Sequence, residues 1–421
     1  MLDLKEDMLL KKILDYIPTL SKERKPILEC LGRTLAEDIV APEALPPFDY
    51  STCDGYALNS NMTIGAAKNN PKYFSVLGEV CAGAIFDGGV KWNGAVNIMT
   101  GASIPEGTDC VIPLELGKRQ DNLLIIINQI QSGMNVRKAG SDLVRGSMVM
   151  KSGTIISPLE IGVLASLGRS SVEIIRRPIV SVAATGDEVM PLGGEKNRGQ
   201  VYNSNALCIA SLVSSYGGTP RLLDIIPDDK NKLRDSIFRS FESDLLITIG
   251  GTSRGLKDFI SVHGFEEISY GGSFYHSGLP LKILKDENNR LLPHLALPGK
   301  PVGCVIVFEI FGRSVLEEMS GRRSSAFKFC SATMQNEIVN EGKANVYARV
   351  KLQKKQEFYM ARSTGKPDHD LIYPNVEANG FVFIPKTKEK VSIGDQVNVL
   401  VPGWSEIRWQ IENDICECSA K

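Results

Sequence analysis

The run Asp244-Leu-Leu-Ile-Thr-Ile-Gly-Gly-Thr-Ser-Arg-Gly-Leu-Lys-Asp258 constrains the fold of this chain more than any other segment. Apolar and β-branched residues end in Gly250 and Gly251, followed by Thr252, Ser253, Gly255 and the acid Asp258. This pattern reads as a buried strand emptying into a tight loop. In an open α/β sheet, the loop past a strand's carboxyl end is where backbone N–H groups and a helix N-terminus hold an anion. Neither Gly-x-Gly-x-x-Gly nor Gly-x-x-x-x-Gly-Lys-Ser/Thr occurs, so the ligand expected is a phosphorylated compound other than a dinucleotide or a P-loop ATP. A turn that only reverses the chain is the alternative reading.

A chain of 421 residues is long enough to bury a large core and to divide into roughly two to four domains. Its 48 Lys and Arg balance 49 Asp and Glu, giving a formal charge of −1, and such a chain has no basic excess for nucleic acid. The amino terminus Met1-Leu-Asp-Leu-Lys-Glu-Asp is acidic and unlike a signal peptide. No apolar run approaches the ~20 residues of a membrane span. The nine cysteines are scattered, mostly among apolar neighbours, and read as buried thiols of a reducing cytoplasm. Cys416 and Cys418 form a C-x-C near the end, with no second pair or histidine close by in sequence to complete a zinc site.

Residues 1–40 show helical spacing through Leu9, Ile13, Leu14 and Ile17. After Pro18 the spacing resumes through Ile27, Leu28, Leu31 and Leu35. The prolines of Ala41-Pro-Glu-Ala-Leu-Pro-Pro-Phe then break it. Short strand-like runs between glycines, at Val76-Leu77, Val90–Trp92, Ala95–Met99, Asp109–Pro113 and Leu123–Ile127, predict a small β domain of barrel or sandwich type. A helix is expected from Pro158 to Leu167, capped by Gly168. Residues 178–325 alternate as βαβ units do. Strands are expected at 179–184, 222–226 and 245–249, and helices at 204–216, 229–241 and 302–317. Residues 326–410 read as a separate antiparallel β domain. The division expected is therefore a helical linker domain of 1–26 with 141–177, an inserted β domain of 27–140, an α/β domain of 178–325, a C-terminal β domain of 326–410 and a tail of 411–421.

Four constellations carry chemistry. Asp54 follows two prolines and lies among hydroxyls, with Gly55 freeing the backbone after it; an ordinary Asp-Gly turn is the other reading. Thr100 and Gly101, in Ile98-Met-Thr-Gly-Ala-Ser-Ile-Pro-Glu-Gly-Thr-Asp-Cys-Val-Ile-Pro113, place a hydroxyl and amides at a strand end suited to an oxyanion, or form a plain turn. Thr185-Gly186-Asp187-Glu188 puts two acids past a buried strand, for ligand or metal, unless Asp187 caps a helix. Pro298-Gly299-Lys300-Pro301 sets a lysine before a helix N-terminus, a place for an anion or for a solvated side chain.

Taken in order, PPFD..STCDGYA, IMTGASIPEG.DCVI, TGDE, VYNSN, ITIGGTSRG..D, LPGKPV and ANGF resemble the MoeA and gephyrin E-domain family, the molybdopterin molybdenumtransferases, over nearly the whole chain. The resemblance implies a multidomain α/β and β fold. Its parts would be a molybdopterin-binding α/β/α domain of mostly parallel sheet, an inserted β domain, a helical linker region and a C-terminal β-barrel-like domain. It also implies a cytoplasmic homodimer with its cleft between subunits, burying well over ~2,000 Å². Family members insert molybdate into adenylylated molybdopterin with Mg²⁺ or a similar ion and release AMP. A molybdopterin-adenylylating protein and apo-molybdoenzymes are the partners implied, with neither nucleic acid nor membrane.

Carried over by position, the resemblance implies catalytic Asp54, Asp142, Glu188, Asp258 and Lys300, and metal ligation by Asp54, Asp187, Glu188, Asp228 and Asp258. Cofactor binding falls to Thr100, Gly101, Thr185, Gly186, Gly250, Gly251, Thr252, Ser253, Gly255, Pro298, Gly299 and Pro301. The departures concern cations. The family's Lys-Pro-Gly-Lys-Pro stands here as His276-Ser277-Gly278-Leu279-Pro280, and a lysine four positions earlier is Gly272. Lys300, Lys257, Arg254 and Lys282 are the candidate replacements. A lysine aimed at the transition state contributes about 3 kcal/mol, on the order of 100-fold in rate. The alternative function is therefore a catalytically degenerate molybdopterin- or nucleotide-binding paralogue acting as carrier or scaffold.

Overall fold

The computed structural model describes residues 10, 14–250, 266–268, 281–322, 327–340, 345–356, 358–365 and 372–405. The chain divides into two compact units, one of Met1–Ala36, Gly153–Ile161 and Ser171–Lys421, the other of Glu37–Ser152 and Gly162–Ser170.

The second unit is built on six strands: Gly55–Leu58 (β1), Lys72–Val80 (β2), Gly94–Ile98 (β3), Cys110–Pro113 (β4), Lys118–Gln120 (β5) and Leu123–Ile126 (β6). Their order is β4-β1-β3-β2-β6-β5, with only β2 and β3 parallel. Alternate residues feed two cores, Tyr56, Leu58, Phe74 and Ile112 in one and Ala57, Val96, Ile98 and Val111 in the other. Side chains of a strand alternate between faces, so both faces of this sheet are covered. The unit is thus an open sheet, neither the barrel nor the sandwich expected from its runs. The strand expected at Val90–Trp92 does not form. Gly88 and Gly89 turn the chain at positive φ, and Trp92 is itself left-handed (φ 48°), which no extended strand accommodates.

The first unit contains a second six-stranded sheet. Its strands are Ile179–Ala184 (β7), Thr219–Leu222 (β8), Leu245–Ile249 (β9), Glu266–Ile268 (β10), Leu281–Lys285 (β11) and Leu291–Leu297 (β12). The order is β8-β7-β9-β12-β11-β10; the first four are parallel and the last two run antiparallel. Helices are Pro158–Ser166 (α1), Ser204–Ser215 (α2), Lys230–Ser240 (α3), Pro301–Val307 (α4) and Arg313–Met319 (α5). Helix α2 packs Ile209 and Val213, and α4 packs Val302 and Ile306, into a core with Val180, Val182, Ile247 and Leu295. On a separate core, Ile237 of α3 meets Leu246, Leu284 and Leu292. The result is a three-layer α/β/α arrangement. Each such side chain, fully buried, contributes about 1.5–3 kcal/mol of transfer free energy.

Three local expectations are corrected here. The helix expected through Ile27–Leu35 is reduced to a single 3₁₀ turn at Ile27–Cys30, which follows the strand Lys22–Pro26 paired antiparallel with Ser171–Ile175. Cross-strand pairing on the buried Val172 and Ile174 overrides the helical spacing. The strand expected at Leu222–Ile226 lies three residues earlier. It is a mostly exposed sheet edge, where the apolar run does not define the strand, and past it the chain touches back through Leu223 N on the Val182 carbonyl and the Thr185–Ile226 bridge. The single helix expected over 302–317 is interrupted by a π turn at Phe308–Gly312.

That turn carries Glu309, fully buried, which accepts hydrogen bonds from the Tyr216 hydroxyl (2.7 and 2.9 Å), Gly403 N (3.2 Å) and Arg313 (3.4 Å). Burial pushes the Glu309 carboxyl and the Tyr216 phenol up from their ordinary ranges.

Strands Lys328–Met334 (β13), Val346–Lys355 (β14), Phe358–Ser363 (β15), Gly380–Ile384 (β16) and Gln396–Val401 (β17) close a barrel in the order β13-β15-β14-β16-β17. Closure removes exposed sheet edges. Its Tyr347, Phe381 and Leu400 join the core of the α/β sheet. No helix among the described residues is long and apolar enough to cross a membrane.

Candidate functional site

In the α/β sheet the chain leaves β7 toward β8 on one side and returns to β9 on the other. The carboxyl ends of β7 and β9 therefore form a topological switch point, where ligands bind in open α/β sheets. Thr185 and Gly186 follow β7, Gly250 follows β9, and Pro298-Gly299-Lys300 follows the neighbouring β12. Gly250 is left-handed (φ 93°), and a Cβ there would lie 2.8 Å from the Thr185 carbonyl oxygen. Only glycine lets these two loops approach so closely.

The amides of Thr185, Gly186 and Gly250 donate to Ile249, Ile226 and Leu297 carbonyls. These residues therefore give the rim its shape, while donors for an anion come from the first turn of α2, whose leading N–H groups have no intrahelical partners. Asn203 caps that helix by accepting from Ala206 N, and Asn205 Nδ2 donates to the Gly299 carbonyl at 2.7 Å. This bond ties α2 to the loop carrying Lys300, which is exposed at the N-cap of α4.

The acids take definite places on the same rim. Gly186 (φ 129°) is bare where the Glu188 carboxylate folds back over it; a Cβ would occupy the space of both carboxylate oxygens. Asp187 Oδ1 accepts the Asp228 N–H at 3.2 Å, and all three acids are exposed. Asp187 caps no helix; the cap of α3 is Asp229, which accepts from Asn231 and Lys232.

In the other unit, Asp54 and Thr100 form one device. Thr100 donates both its N–H and its hydroxyl to Asp54 Oδ1, each at 2.7 Å, and these bonds, the backbone one foremost, hold the Asp54 carboxyl below its usual range. Thr100 thus orients a carboxylate whose Oδ2 takes part in neither bond. Gly101 turns at φ 82° and donates to Ser51. Gly55 has no room for a Cβ against the Ile112 carbonyl. Asp142 stands in an exposed turn, its N–H on the Leu45 carbonyl.

Three family models match in succession. They are the MoeA N-terminal region (domain I and II) at residues 4–168, the probable molybdopterin binding domain at 181–318 and the MoeA C-terminal region (domain IV) at 331–401. The chain belongs to the MoeA family. It is 28% identical over 394 residues to the molybdopterin molybdenumtransferase of Bacillus subtilis, covering 91% of each chain. It is 28% identical over 405 residues to that of Haemophilus influenzae, covering 93% of this chain and 97% of the relative. A crystal structure of the molybdopterin biosynthesis MoeA protein from Pyrococcus horikoshii superposes with a TM-score of 0.81 at 27% identity, covering 94% of this chain and 98% of that one.

Within this MoeA-family fold the expected residues fall into three groups. Thr185, Gly186, Asp187, Glu188, Gly250, Pro298, Gly299, Lys300 and Pro301 follow the carboxyl ends of β7, β9 and β12, and Asp228, in the loop after β8, joins them through its bond to Asp187. Asp54, Thr100 and Gly101 lie in the second unit, as does Asp142. Gly251, Thr252, Ser253, Arg254, Gly255, Lys257, Asp258, Gly272, His276 and Leu279, with Cys416 and Cys418, lie outside the described residues.

Asn203 and Asn205 were not picked out as site residues; their signal was the VYNSN segment at a helix start. Lys282 sits within the sheet, opposite His294 on β12, inside the strand register. Among the described residues no three His, Cys, Asp or Glu side chains group to hold a metal ion. Of the seven described cysteines, all free thiols, Cys30, Cys110 and Cys304 are buried but Cys81 and Cys208 are exposed, so the expectation of burial holds only in part.

Proposed function

We propose that this MoeA-family chain is a molybdopterin molybdenumtransferase of molybdenum cofactor biosynthesis, inserting molybdate into adenylylated molybdopterin with release of AMP. The observation that carries the reading is the rim at the switch point. A bare Gly250 packs on Thr185, a capped helix start is tied by Asn205 to the Lys300 loop, and the Glu188 carboxylate folds over Gly186. A phosphate seats at the first turn of α2, where orphan N–H groups and the helix dipole favour it. Lys300 brings a positive charge to the anhydride from the loop before α4, supplying part of what the family's lysines supply elsewhere.

The donor set present is oxygen only, which suits Mg²⁺. That ion binds through one or two carboxylates plus substrate phosphates and waters rather than through an all-protein cage. On the rim Asp187, Glu188 or Asp228 would each offer it a carboxylate, and the resemblance adds Asp258; Asp54 stands in the other unit, its Oδ2 outside both Thr100 bonds. When bound, the ion neutralises charge on the anhydride and on molybdate. The chain's own part is positioning: Thr100 fixes Asp54, Gly186 makes room for Glu188, and Asn205 fixes Gly299 and with it Lys300.

We further propose a cytoplasmic homodimer, supplied by a molybdopterin-adenylylating protein and delivering cofactor to apo-molybdoenzymes. Light scattering at micromolar concentration tests the dimer, and a monomer would remove it. The activity is tested by mixing the full chain with adenylylated molybdopterin, Mg²⁺ and molybdate and following AMP together with activation of an apo-molybdoenzyme. Both are expected above the uncatalysed rate. Tight binding without AMP release would replace the transferase by a carrier.

A further inference from the structure

The chain does not pass directly from β7 to α2. Residues 187–202 make an excursion whose two ends are stitched together beside the rim. Val189 and Met190 pair in parallel with Val201 and Tyr202. Val201 N donates to the Glu188 carbonyl and Asn203 N to the Met190 carbonyl, both at 2.9 Å. The stitched ends are thus rim residues, Glu188 at the start and Asn203, the cap of α2, at the finish.

Tyr202 is the post on which the far part of the excursion hangs. Its hydroxyl donates to the Gly194 carbonyl at 2.9 Å, and the Lys196 ammonium lies over its ring, 5.3 Å from the centroid. The quadrupole of the ring attracts a cation held there. The following turn closes on itself, with Gln200 N on the Asn197 carbonyl (3.1 Å) and Asn197 N on Gln200 Oε1 (2.9 Å). Residues 191–199 are all exposed, so no core holds this shape; the bonds to Tyr202 and within the turn do.

Lys196 and Arg198 are the cations of the excursion, against Asp187, Glu188 and Glu195. Neither forms an ion pair among the described residues, so these acids do not neutralise them. An exposed lysine ordinarily samples many rotamers. The Tyr202 ring instead stations this one next to residue 203, where the leading N–H groups of α2 begin. Its ammonium is a compact charge with three donors, suited to phosphate oxygens. The sequence also lacks the family's lysines, with Gly272, His276 and Leu279 in their places, while an anhydride still needs fixed positive charge. Lys300 brings one such charge from the loop after β12, and Lys196 stands ready on the loop after β7.

We propose that Lys196, stationed by Tyr202 at the head of α2, binds a phosphate of the adenylylated pterin; this rests on the transferase reading and adds a residue to its site.

Isothermal titration of the full chain with adenylylated molybdopterin, without molybdate so that no turnover intervenes, tests it. Lys196→Gln should weaken binding about tenfold, as for one lost charge-assisted hydrogen bond, and flatten its dependence on salt. Tyr202→Leu removes the station but keeps the lysine and should lose affinity in the same direction, whereas Tyr202→Phe keeps the ring and should retain most of it. Lys91→Gln, an equal loss of charge on an exposed lysine of the other unit, should bind as the parent does. Acetylation of exposed lysines read by mass spectrometry gives a second measure: the ligand should protect Lys196 and leave Lys91 labelled. Equal affinity of parent and Lys196→Gln, or a Lys196 that the ligand does not protect, overturns the inference and leaves the transferase reading standing. So does an equal loss in Lys91→Gln, which would make the effect one of net charge. A parent that binds no adenylylated pterin overturns both.

Discussion

The two ends of the α/β sheet carry opposite chemistry. Past the carboxyl ends of β7 and β8 stand Asp187, Glu188 and Asp228, and past β12 stands Lys300 at the head of α4. At the amino ends of β7, β8 and β9 stand four arginines, Arg33, Arg176, Arg177 and Arg322. Parallel strands with returning helices place helix N-termini at the first end and helix C-termini at the second. Cations near α2 and α5 C-termini are thus in their favoured place, and an anion at the α2 N-terminus is in its own. Acids at that end are favoured by the same dipole, since the helix starts present the positive ends of their dipoles there.

The largest expected effect tests the acids. Glu188→Gln should lower AMP release on the order of 100-fold, about 3 kcal/mol, with the stability curve unchanged. Gly186→Ala should reproduce most of that loss with Glu188 intact, because the new Cβ takes the carboxylate's place. Equal turnover in either variant and the parent would remove Glu188 from the chemistry.

This pair also marks what the sequence conveys and what it does not. The strand ends at 184 and 249 could be placed from apolar runs stopped by Thr and Gly, because burial on both faces leaves a continuous apolar signal. That Gly186 makes room for a carboxylate two residues on, or that Thr100 serves Asp54 across 46 positions, depends on tertiary approach and carries no local signature. The Lys22–Pro26 strand was hidden for the same reason: its partner Ser171–Ile175 is distant in sequence, and its own residues, Lys-Glu-Arg-Lys-Pro, carry no apolar alternation. The arginines of the amino end come from separate segments, around 33, 177 and 322, each unremarkable in its own neighbourhood.

The next effect tests Lys300. Lys300→Ala should weaken binding of adenylylated molybdopterin by about 2–3 kcal/mol in calorimetry, as for a lost charge-assisted hydrogen bond. Asp258→Asn should leave that binding largely unchanged and lower metal-dependent turnover. Equal affinity of parent and Lys300→Ala would show that the family's missing lysines are not replaced from this loop.

Midway between the two ends, His294 of β12 is fully buried beside Thr248 Oγ1 at 2.9 Å. Burial first, then the charge of Lys282, lowers its pKa from 6.5 to about 3. The unfolded chain therefore binds a proton that the folded chain refuses between these values. The stability His294 contributes is complete above pH 6.5 and falls as the pH drops toward 3, by about 2 kcal/mol at pH 5. Urea unfolding at pH 8 and pH 5 should show this loss in the parent and a loss smaller by that amount in His294→Gln. The same difference in both proteins would mean that the sheet centre is protonated as easily as water-exposed imidazole.

The smallest effect separates shape from charge at the carboxyl end. Asn203 caps α2. Asn203→Ala removes the bond to Ala206 N and should cost about 1 kcal/mol of stability. Asn203→Asp restores an equally good cap, since both side chains offer an oxygen to the same N–H, so stability should return to the parent's. The added carboxylate nevertheless stands at the helix start proposed to seat the phosphate. With Lys300 as the charge facing it, binding of the adenylylated pterin without Mg²⁺ should weaken, on the order of a few tenths of a kcal/mol to 1 kcal/mol for an exposed charge. With Mg²⁺ present the same carboxylate gains a cation to face, and the deficit should shrink. If Asn203→Asp binds equally well with and without the ion, the first turn of α2 does not hold the phosphate. The acids of this end would then face solvent rather than a metal-bridged substrate.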